Sequence, residues 1–179
     1  MILYMVNIVA EVIALPDENG FEHVTKLFLD LQKLNNREGK VKIGLLVDAM
    51  DELAKVPKAD LPAIDAQYGL FFDLETEPID GEVYKIRRET VKALREYPVY
   101  ELRLSIPEFN WHFRTTFFPM EHPENEKLFY CMVFPFEKVL ALGRRGNPTD
   151  RYRDRTKAIY EDVMNNFEKY RHLFDNSDE

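Results

Sequence analysis

The chain has 179 residues, of which 45% are hydrophobic, enough to bury an ordinary core within one domain. Its formal net charge of −8 argues against nonspecific polyanion binding, because long-range repulsion slows the encounter with phosphate. No apolar run approaches the roughly 20 residues of a membrane span, and the N-terminus lacks the basic region of a signal peptide. A single cysteine excludes an internal disulfide. We therefore expect a cytoplasmic protein with no membrane partner.

The charge is distributed unevenly along the chain. Residues 1–82 contain 16 acidic and 7 basic residues, a balance of −9, whereas residues 83–179 contain 16 and 17, a balance of +1. Positive charge collects between Lys138 and Lys157. A local basic face acts over about 8–10 Å at physiological salt, so it can still contact RNA at close range.

The N-terminal part of the chain predicts one strand and two helices. Residues 2–15 are typical of a buried strand, ended by the turn residues Pro16–Gly20. Apolar residues recur at helical spacing over residues 21–36, and less regularly over residues 41–55. Because the link is short, an antiparallel helical hairpin is the simplest arrangement.

Residues 57–98 give a weaker pattern, since prolines and acidic residues interrupt any long element. Tyr68–Phe72 is compatible with a short strand and Arg87–Glu96 with a helix of two or three turns. The segment has too few apolar residues for its own core. We interpret it as an insertion within a single domain spanning residues 1–179.

The C-terminal part predicts a sheet followed by a long helix. Alternating patterns predict strands at Val99–Ile106, His112–Phe118 and Lys127–Phe134. A fourth apolar run, Val139–Leu142, leads into a basic turn, and a helix is predicted over about residues 150–174. The sequence therefore predicts an α+β fold with an N-terminal strand, a helical hairpin, an antiparallel meander sheet and a long C-terminal helix.

Metal and thiol chemistry are not indicated. The histidines are widely spaced and no Cys-x-x-Cys or His-x-x-x-His pair occurs, so we expect neither a metal nor another cofactor. Cys131 lies mid-strand among apolar residues and is expected to be a buried thiol. Trp111 is expected to be a core or rim aromatic residue instead of a base-stacking platform.

Arginines carry the functional hypothesis. Arg103 and Arg114 stand in predicted strands beside apolar residues and should point to the opposite face. Guanidinium groups there could hold a phosphate, and Tyr152 could orient or deprotonate a ribose 2′-hydroxyl or stack on a base. That set would suffice for metal-free RNA cleavage. The alternative, which spacing alone favours, is that both arginines form cross-strand ion pairs, with Glu101 as a partner for one.

The order of elements resembles the RelE/ParE/HigB-type toxin superfamily. Tyr100–Leu104 (YELRL) looks like that family's YELRI strand, and Phe113–Phe117 (FRTTF) is similar to its YRxxY strand. Val139–Arg145 resembles the last strand and basic turn, Gly146–Thr149 the KTP turn of phage-type members, and Asp150–Ile159 the helix that carries the RelE tyrosine.

The resemblance implies roles for particular residues. Arg114 would stabilise the phosphate, Arg145 with Arg144 would be a cation near the leaving oxygen, and Tyr152 would be the base or stacking tyrosine. The predicted RNA-binding set is Arg103, Arg144, Arg151, Arg153 and Arg155. Active members usually cleave messenger RNA on the ribosome and are neutralised by an antitoxin, so RNA, the ribosome and an antitoxin-like protein are the implied partners.

Three interpretations remain open. The first is a RelE-like endoribonuclease toxin that needs no metal or other cofactor. The second is a noncatalytic protein-binding module of that fold, of phage or mobile-element origin, whose acidic N-terminal half contacts an unidentified protein. The third is a ParE-like toxin that targets a protein such as gyrase. Typical members are small and basic, whereas this chain is long and acidic.

Overall fold

The computed structural model describes residues 8–138 and 148–175, which form a six-stranded sheet and four α-helices. The strands are β1 (Ala10–Ala14), β2 (Leu70–Glu75), β3 (Lys85–Ala93), β4 (Tyr100–Ile106), β5 (Trp111–Glu121) and β6 (Leu128–Glu137). The helices are α1 (His23–Leu34), α2 (Arg37–Ala54), α3 (Pro148–Asn165) and α4 (Phe167–Asp175). The predicted α+β class is confirmed.

The sheet is mixed, with the strand order β1-β6-β5-β4-β3-β2. Strands β2 to β6 each lie antiparallel beside their sequence neighbours, whereas β1 joins the edge of β6 in parallel, with Ala10 opposite Leu128. Strands β4 to β6, which were predicted to form a meander, are antiparallel neighbours, but the whole sheet is not a simple meander because β1 pairs with β6. An alternating pattern does not encode the direction of an edge strand, because the same period of two occurs in parallel and antiparallel pairs.

Alternation along β6 divides the core into two clusters. Tyr130 and Met132 belong to the cluster that includes α1 and α2, whereas Phe129 and Cys131 pack with α3 and α4. Successive strand residues point to opposite faces, so the two helix pairs cover opposite faces of the sheet. Cys131 is fully buried, as expected, and burial raises the pKa of its thiol. Trp111 is also buried, in the first cluster.

Most predicted elements are confirmed with shifted ends, but two predictions are wrong. The Arg87–Glu96 segment is not a helix; most of it lies in β3, where Val91 and Ala93 pair with β4 and are buried. The predicted helix over residues 150–174 is divided into α3 and α4 at Asn166. Strands β2 and β3, both from the 57–98 segment, extend the same sheet beyond β4.

Several predicted features fall on residues 1–7, 139–147 and 176–179, which lie outside the described residues. They are the start of the N-terminal strand, the apolar run Val139–Leu142 and the basic turn with Arg144 and Arg145. Within the described ranges, no helix combines the length and apolar character needed to cross a membrane.

Candidate functional site

Arg103 and Arg114 lie directly opposite each other on β4 and β5. Their neighbours Leu102 and Phe113 belong to the core cluster under α1 and α2, so both arginines point to the other face of the sheet. The predicted shared face is confirmed for this pair. Like charges directly opposite each other destabilise a sheet unless nearby carboxylates compensate them. The two arginines differ in the number of carboxylates that contact them.

Arg103 is held by two carboxylates. Its Nη2 lies 2.5 Å from Glu101 Oε1, and its Nη1 lies 3.4 Å from Glu89 Oε2. The Glu101 side chain is only 3% exposed, and its Oε2 has no hydrogen-bond partner among the described residues. Glu101 is therefore a partner of one arginine, as the alternative prediction held, but the pair lies within β4 instead of across two strands. The cross-strand contact comes from Glu89 of β3, which the sequence did not indicate.

Arg114 is compensated much less. Its Nη1 donates a 2.9 Å hydrogen bond to the carbonyl of Phe113, and it forms no ion pair with any residue in the described ranges. Desolvation lowers the pKa of Arg114, and neighbouring Arg103 adds to this, while Glu101 and Glu89 oppose it from a distance. Arg114 is thus a half-buried cation that no carboxylate of the described residues contacts.

Tyr152 lies on the same face of the sheet as Arg114, where its ring stacks on a phenylalanine of β6. Its ring is 4.8 Å from the ring of Phe136 with an interplanar angle of 26°, and 5.3 Å from the ring of Phe134. Phe136 is also the cross-strand partner of Arg114. No described residue hydrogen-bonds the Tyr152 hydroxyl. The two predicted catalytic residues that the structure describes therefore share Phe136 as a neighbour.

A polar cavity of about 350 Å³ lies between this part of the sheet and the start of α3. Five basic and two acidic side chains line it, a formal balance of +3: Lys92, Arg95, Arg103, Lys138 and Arg153, with Glu101 and Asp150. The N-terminus of α3 adds partial positive charge. In a protein with a net charge of −8, this cavity is a local concentration of positive charge.

The remaining predicted RNA-binding residues have different surroundings. Arg153 lines the cavity but is ion-paired with Asp150 at 2.9 Å and Asp154 at 2.7 Å. Arg155 binds Glu18 at 2.5 Å and lies over the Phe134 ring, so it ties α3 to the turn after β1. Arg151 is exposed in the first turn of α3. Arg144 and Arg145 lie outside the described residues.

Sequence reasoning missed Lys92 and Arg95 because Arg87–Glu96 was interpreted as a short helix within an insertion. Lys92 lies in β3 and Arg95 just after it, and pairing of β3 with β4 brings both to the cavity. The sequence does contain a signal for them, because four basic residues occur close together between residues 87 and 95: Arg87, Arg88, Lys92 and Arg95. In a strand next to β4, such a cluster extends the basic face.

Comparison with known proteins gives no family assignment. No family model matches the sequence, and neither a curated protein nor a solved structure matches it significantly. Residues 8–138 and 148–175 contain no group of three or more histidine, cysteine or carboxylate side chains that could hold a metal ion. Function is therefore inferred from the cavity and from the surroundings of Arg114 and Tyr152.

Proposed function

We propose that the protein is a RelE-like endoribonuclease toxin that cleaves messenger RNA by metal-free attack of a ribose 2′-hydroxyl. The observation that supports this most is the state of Arg114 and Tyr152. Both side chains are only partly buried, and among the described residues the Arg114 guanidinium contacts no carboxylate and the Tyr152 hydroxyl forms no hydrogen bond, so each can contact a ligand. Both adjoin Phe136, so one bound nucleotide could engage both.

The proposed reaction needs only groups that the chain, the RNA and water supply. The 2′-oxygen forms a bond to the adjacent phosphorus while the bond from phosphorus to the 5′-oxygen breaks, which yields a 2′,3′-cyclic phosphate and a 5′-hydroxyl. Arg114 stabilises the charge that develops on the phosphoryl oxygens. Tyr152 orients the 2′-hydroxyl or accepts its proton, and the leaving 5′-oxygen takes up a proton from water. The position of Arg145 near the leaving oxygen stays a prediction, because Arg145 lies outside the described residues.

The basic cavity gives the flanking nucleotides a place to bind. Its formal balance of +3 and the adjacent N-terminus of α3 attract the phosphates on either side of the scissile bond. Single-stranded RNA also stacks its bases on aromatic rings, and Tyr152 and Phe136 form such a pair beside Arg114.

A noncatalytic protein-binding module is the second candidate, and the ion pairs favour it. Arg103, Arg153 and Arg155 are all engaged by carboxylates of the same chain. Each such pair must be loosened before its arginine can hold phosphate. On this interpretation the arginines hold the sheet and α3 together, and the acidic N-terminal half contacts the partner.

Cleavage of labelled RNA by the purified protein tests the proposed function. Free RNA is tested with excess EDTA and RNA on translating ribosomes is tested with the magnesium that ribosomes need; in both cases the product ends are identified by mass. We expect cyclic phosphate ends and a loss of at least about 100-fold in rate for Arg114→Lys, which keeps the charge but loses the planar fork. Tyr152→Phe, which keeps the aromatic stack, should also lose rate. Arg87→Lys and Tyr68→Phe, exposed and outside the cavity, are the matched controls.

Induced expression in a bacterial host separates the three interpretations. Growth arrest with cleaved message, relieved by Arg114→Ala, supports the endoribonuclease. Arrest with intact message would favour a toxin that targets a protein. Normal growth and intact message, together with no cleavage in vitro, would leave the noncatalytic module.

A further inference from the structure

Helix α2 carries a second apolar stripe in addition to the one buried in the core. Ile43 and Gly44 lie four and three residues before Val47, on the same side of the helix. Val47 is 43% exposed. Gly44 lets the helix approach the end of β2, since a Cβ there would lie 2.9 Å from Thr76 Cγ2. The stripe therefore forms one wall of a groove, and residues 75–79, at the end of β2 and just after it, form the other wall.

This groove has a volume of about 360 Å³ and an apolar interior with an acidic rim. Ile43, Val47 and Ile79 supply the apolar walls. The charged side chains that line the rim are four acidic residues and one basic residue, a formal balance of −3: Asp48, Asp51, Glu75 and Glu77, with Lys40. We call it the acidic groove. It lies on α2, which packs on the face of the sheet opposite to Arg114.

Two of the four carboxylates already have partners within the chain. Asp48 accepts the backbone N–H of Glu75 at 2.8 Å, and Glu75 is ion-paired with Lys85 at 3.0 Å. Asp51 and Glu77 are exposed and form no ion pair with any residue of the described ranges. Burial raises the pKa of Asp48, the Glu75 N–H opposes this, and Asp51 adds to the rise. Two of the four rim carboxylates, Asp51 and Glu77, therefore have no ion-pair partner among the residues that the structure describes.

We propose that the acidic groove binds a basic peptide segment of a protein partner through an inserted arginine or lysine side chain. The aliphatic stem of such a side chain packs on Ile43, Val47 and Ile79, while its charged end reaches Asp51 and Glu77 at the rim. Charge complementarity selects this occupant, because the rim repels phosphate and an uncharged apolar segment would leave the carboxylates uncompensated. The proposal is independent of RNA cleavage, which uses the other face.

The test uses two fluorescein-labelled peptides of identical sequence, in which arginines alternate with leucines in one and citrullines replace the arginines in the other. Citrulline keeps the size of arginine and removes its charge. Binding to the full chain is measured by fluorescence anisotropy. We expect the arginine peptide to bind with an affinity that falls as salt rises, and the citrulline peptide to bind at least about tenfold more weakly.

Protein variants locate the binding. Asp51→Asn/Glu77→Gln should weaken binding of the arginine peptide at least about tenfold, and Val47→Ala should weaken it by a smaller factor. The control Asp65→Asn/Glu126→Gln removes the same charge from exposed positions outside the groove and should change affinity less than twofold.

Three outcomes would overturn the proposal. If the control double variant weakens binding as much as the groove variant does, attraction is due to net charge alone. If the arginine and citrulline peptides bind equally or not at all, the groove does not select a cation. A dimer in sedimentation that Asp51→Asn/Glu77→Gln dissociates would assign the groove to a second copy of the chain instead.

Discussion

At the scale of single residues, the carboxylate of Glu101 reduces the repulsion between the facing arginines Arg103 and Arg114. This buried carboxylate contacts Arg103 and faces Arg114 from a distance. We expect Glu101→Gln to lower the free energy of unfolding by about 1–3 kcal/mol, because Arg103 and Arg114 then repel with less compensation. Glu75→Gln is the control: its pair with Lys85 is exposed, so its loss should cost below about 0.5 kcal/mol. Urea denaturation measures both, and equal values would contradict the role of Glu101.

Asp17 predicts a loss of stability in acid. Burial alone would raise the pKa of Asp17, but hydrogen bonds from His23 and from the backbone N–H groups of Phe21 and Asn19 lower it to about 2. A folded-state pKa below the unfolded value of about 3.9 stabilises the protein above pH 4, and this contribution is lost as pH falls through 2. Asp17→Asn should therefore cost at most about 2 kcal/mol at pH 6 and progressively less below pH 4. A pH-independent difference in urea denaturation would contradict this.

How far single residues could be predicted depends on whether their neighbours are local in sequence. Alternation within a strand was enough to place Arg103 and Arg114 on one face, and Glu101, two residues away, was recognisable as a partner. Glu89 was not, because it contacts Arg103 only through the pairing of β3 with β4. The stack of Tyr152 on Phe136 depends on where α3 crosses the sheet, which no local pattern records.

At the scale of elements, a buried hydroxyl pair joins α3 to the sheet. Thr116 Oγ1 of β5 and Thr156 Oγ1 of α3 are 2.6 Å apart, and both side chains are fully buried. Thr156→Val should cost about 1–3 kcal/mol of unfolding free energy, because it leaves the Thr116 hydroxyl buried without a partner. The double variant Thr116→Val/Thr156→Val should recover much of this loss, since no unpaired hydroxyl remains.

A double-mutant cycle by urea denaturation measures the coupling between the two threonines. Thr25→Val is a suitable control, because its hydroxyl bonds Glu22 at an exposed position and its loss should cost below about 0.5 kcal/mol. Additive losses for Thr116→Val and Thr156→Val would show that the pair does not couple helix and sheet.

Strand β3 shows why one element was mispredicted. Its sequence, Lys85–Ala93, is rich in residues that favour helices, and its alternation is broken. A register shift between Leu70 and Phe71 of β2 displaces the pairing with β3. Pairing with β4 nevertheless buries Val91 and Ala93. Strand preference depends strongly on such neighbours, so tertiary pairing outweighs local propensity here. The helical hairpin and β4 to β6 were predicted correctly because their apolar residues recur at the spacing of a helix or a strand.

At the scale of the whole molecule, the net charge of −8 conceals two opposed local fields. The acidic groove on α2 has a formal balance of −3, and the cavity at the start of α3 has +3. Since α2 and α3 pack on opposite faces of the sheet, the fields are separated by the core. The division of charge between the two halves of the sequence predicted that the surface charge would be uneven. Only the fold shows that Lys92 and Arg95 lie in the same cavity as Arg103 and Arg153.

The proposed RNA binding should depend only weakly on salt. Arg103, Arg153 and Arg155 are already ion-paired, so bound RNA should release few counterions. For two neutralised phosphates of a single strand, the logarithm of the affinity should fall with the logarithm of salt with a slope of about −1.4. Anisotropy with a labelled RNA containing 2′-deoxyribose, which cannot be cleaved, measures this slope without turnover.

Arg114→Ala should bring that slope nearer to zero by about 0.7, because one phosphate contact is removed. Arg87→Ala is the matched control: Arg87 is an exposed arginine of β3, ion-paired with Asp73, that lies outside the cavity, and its loss should leave the slope unchanged. A wild-type slope steeper than about −4 would mean that the paired arginines open to bind RNA over an extended surface. An unchanged slope in Arg114→Ala would instead remove Arg114 from the RNA contact, because an arginine that neutralises a phosphate must contribute to counterion release.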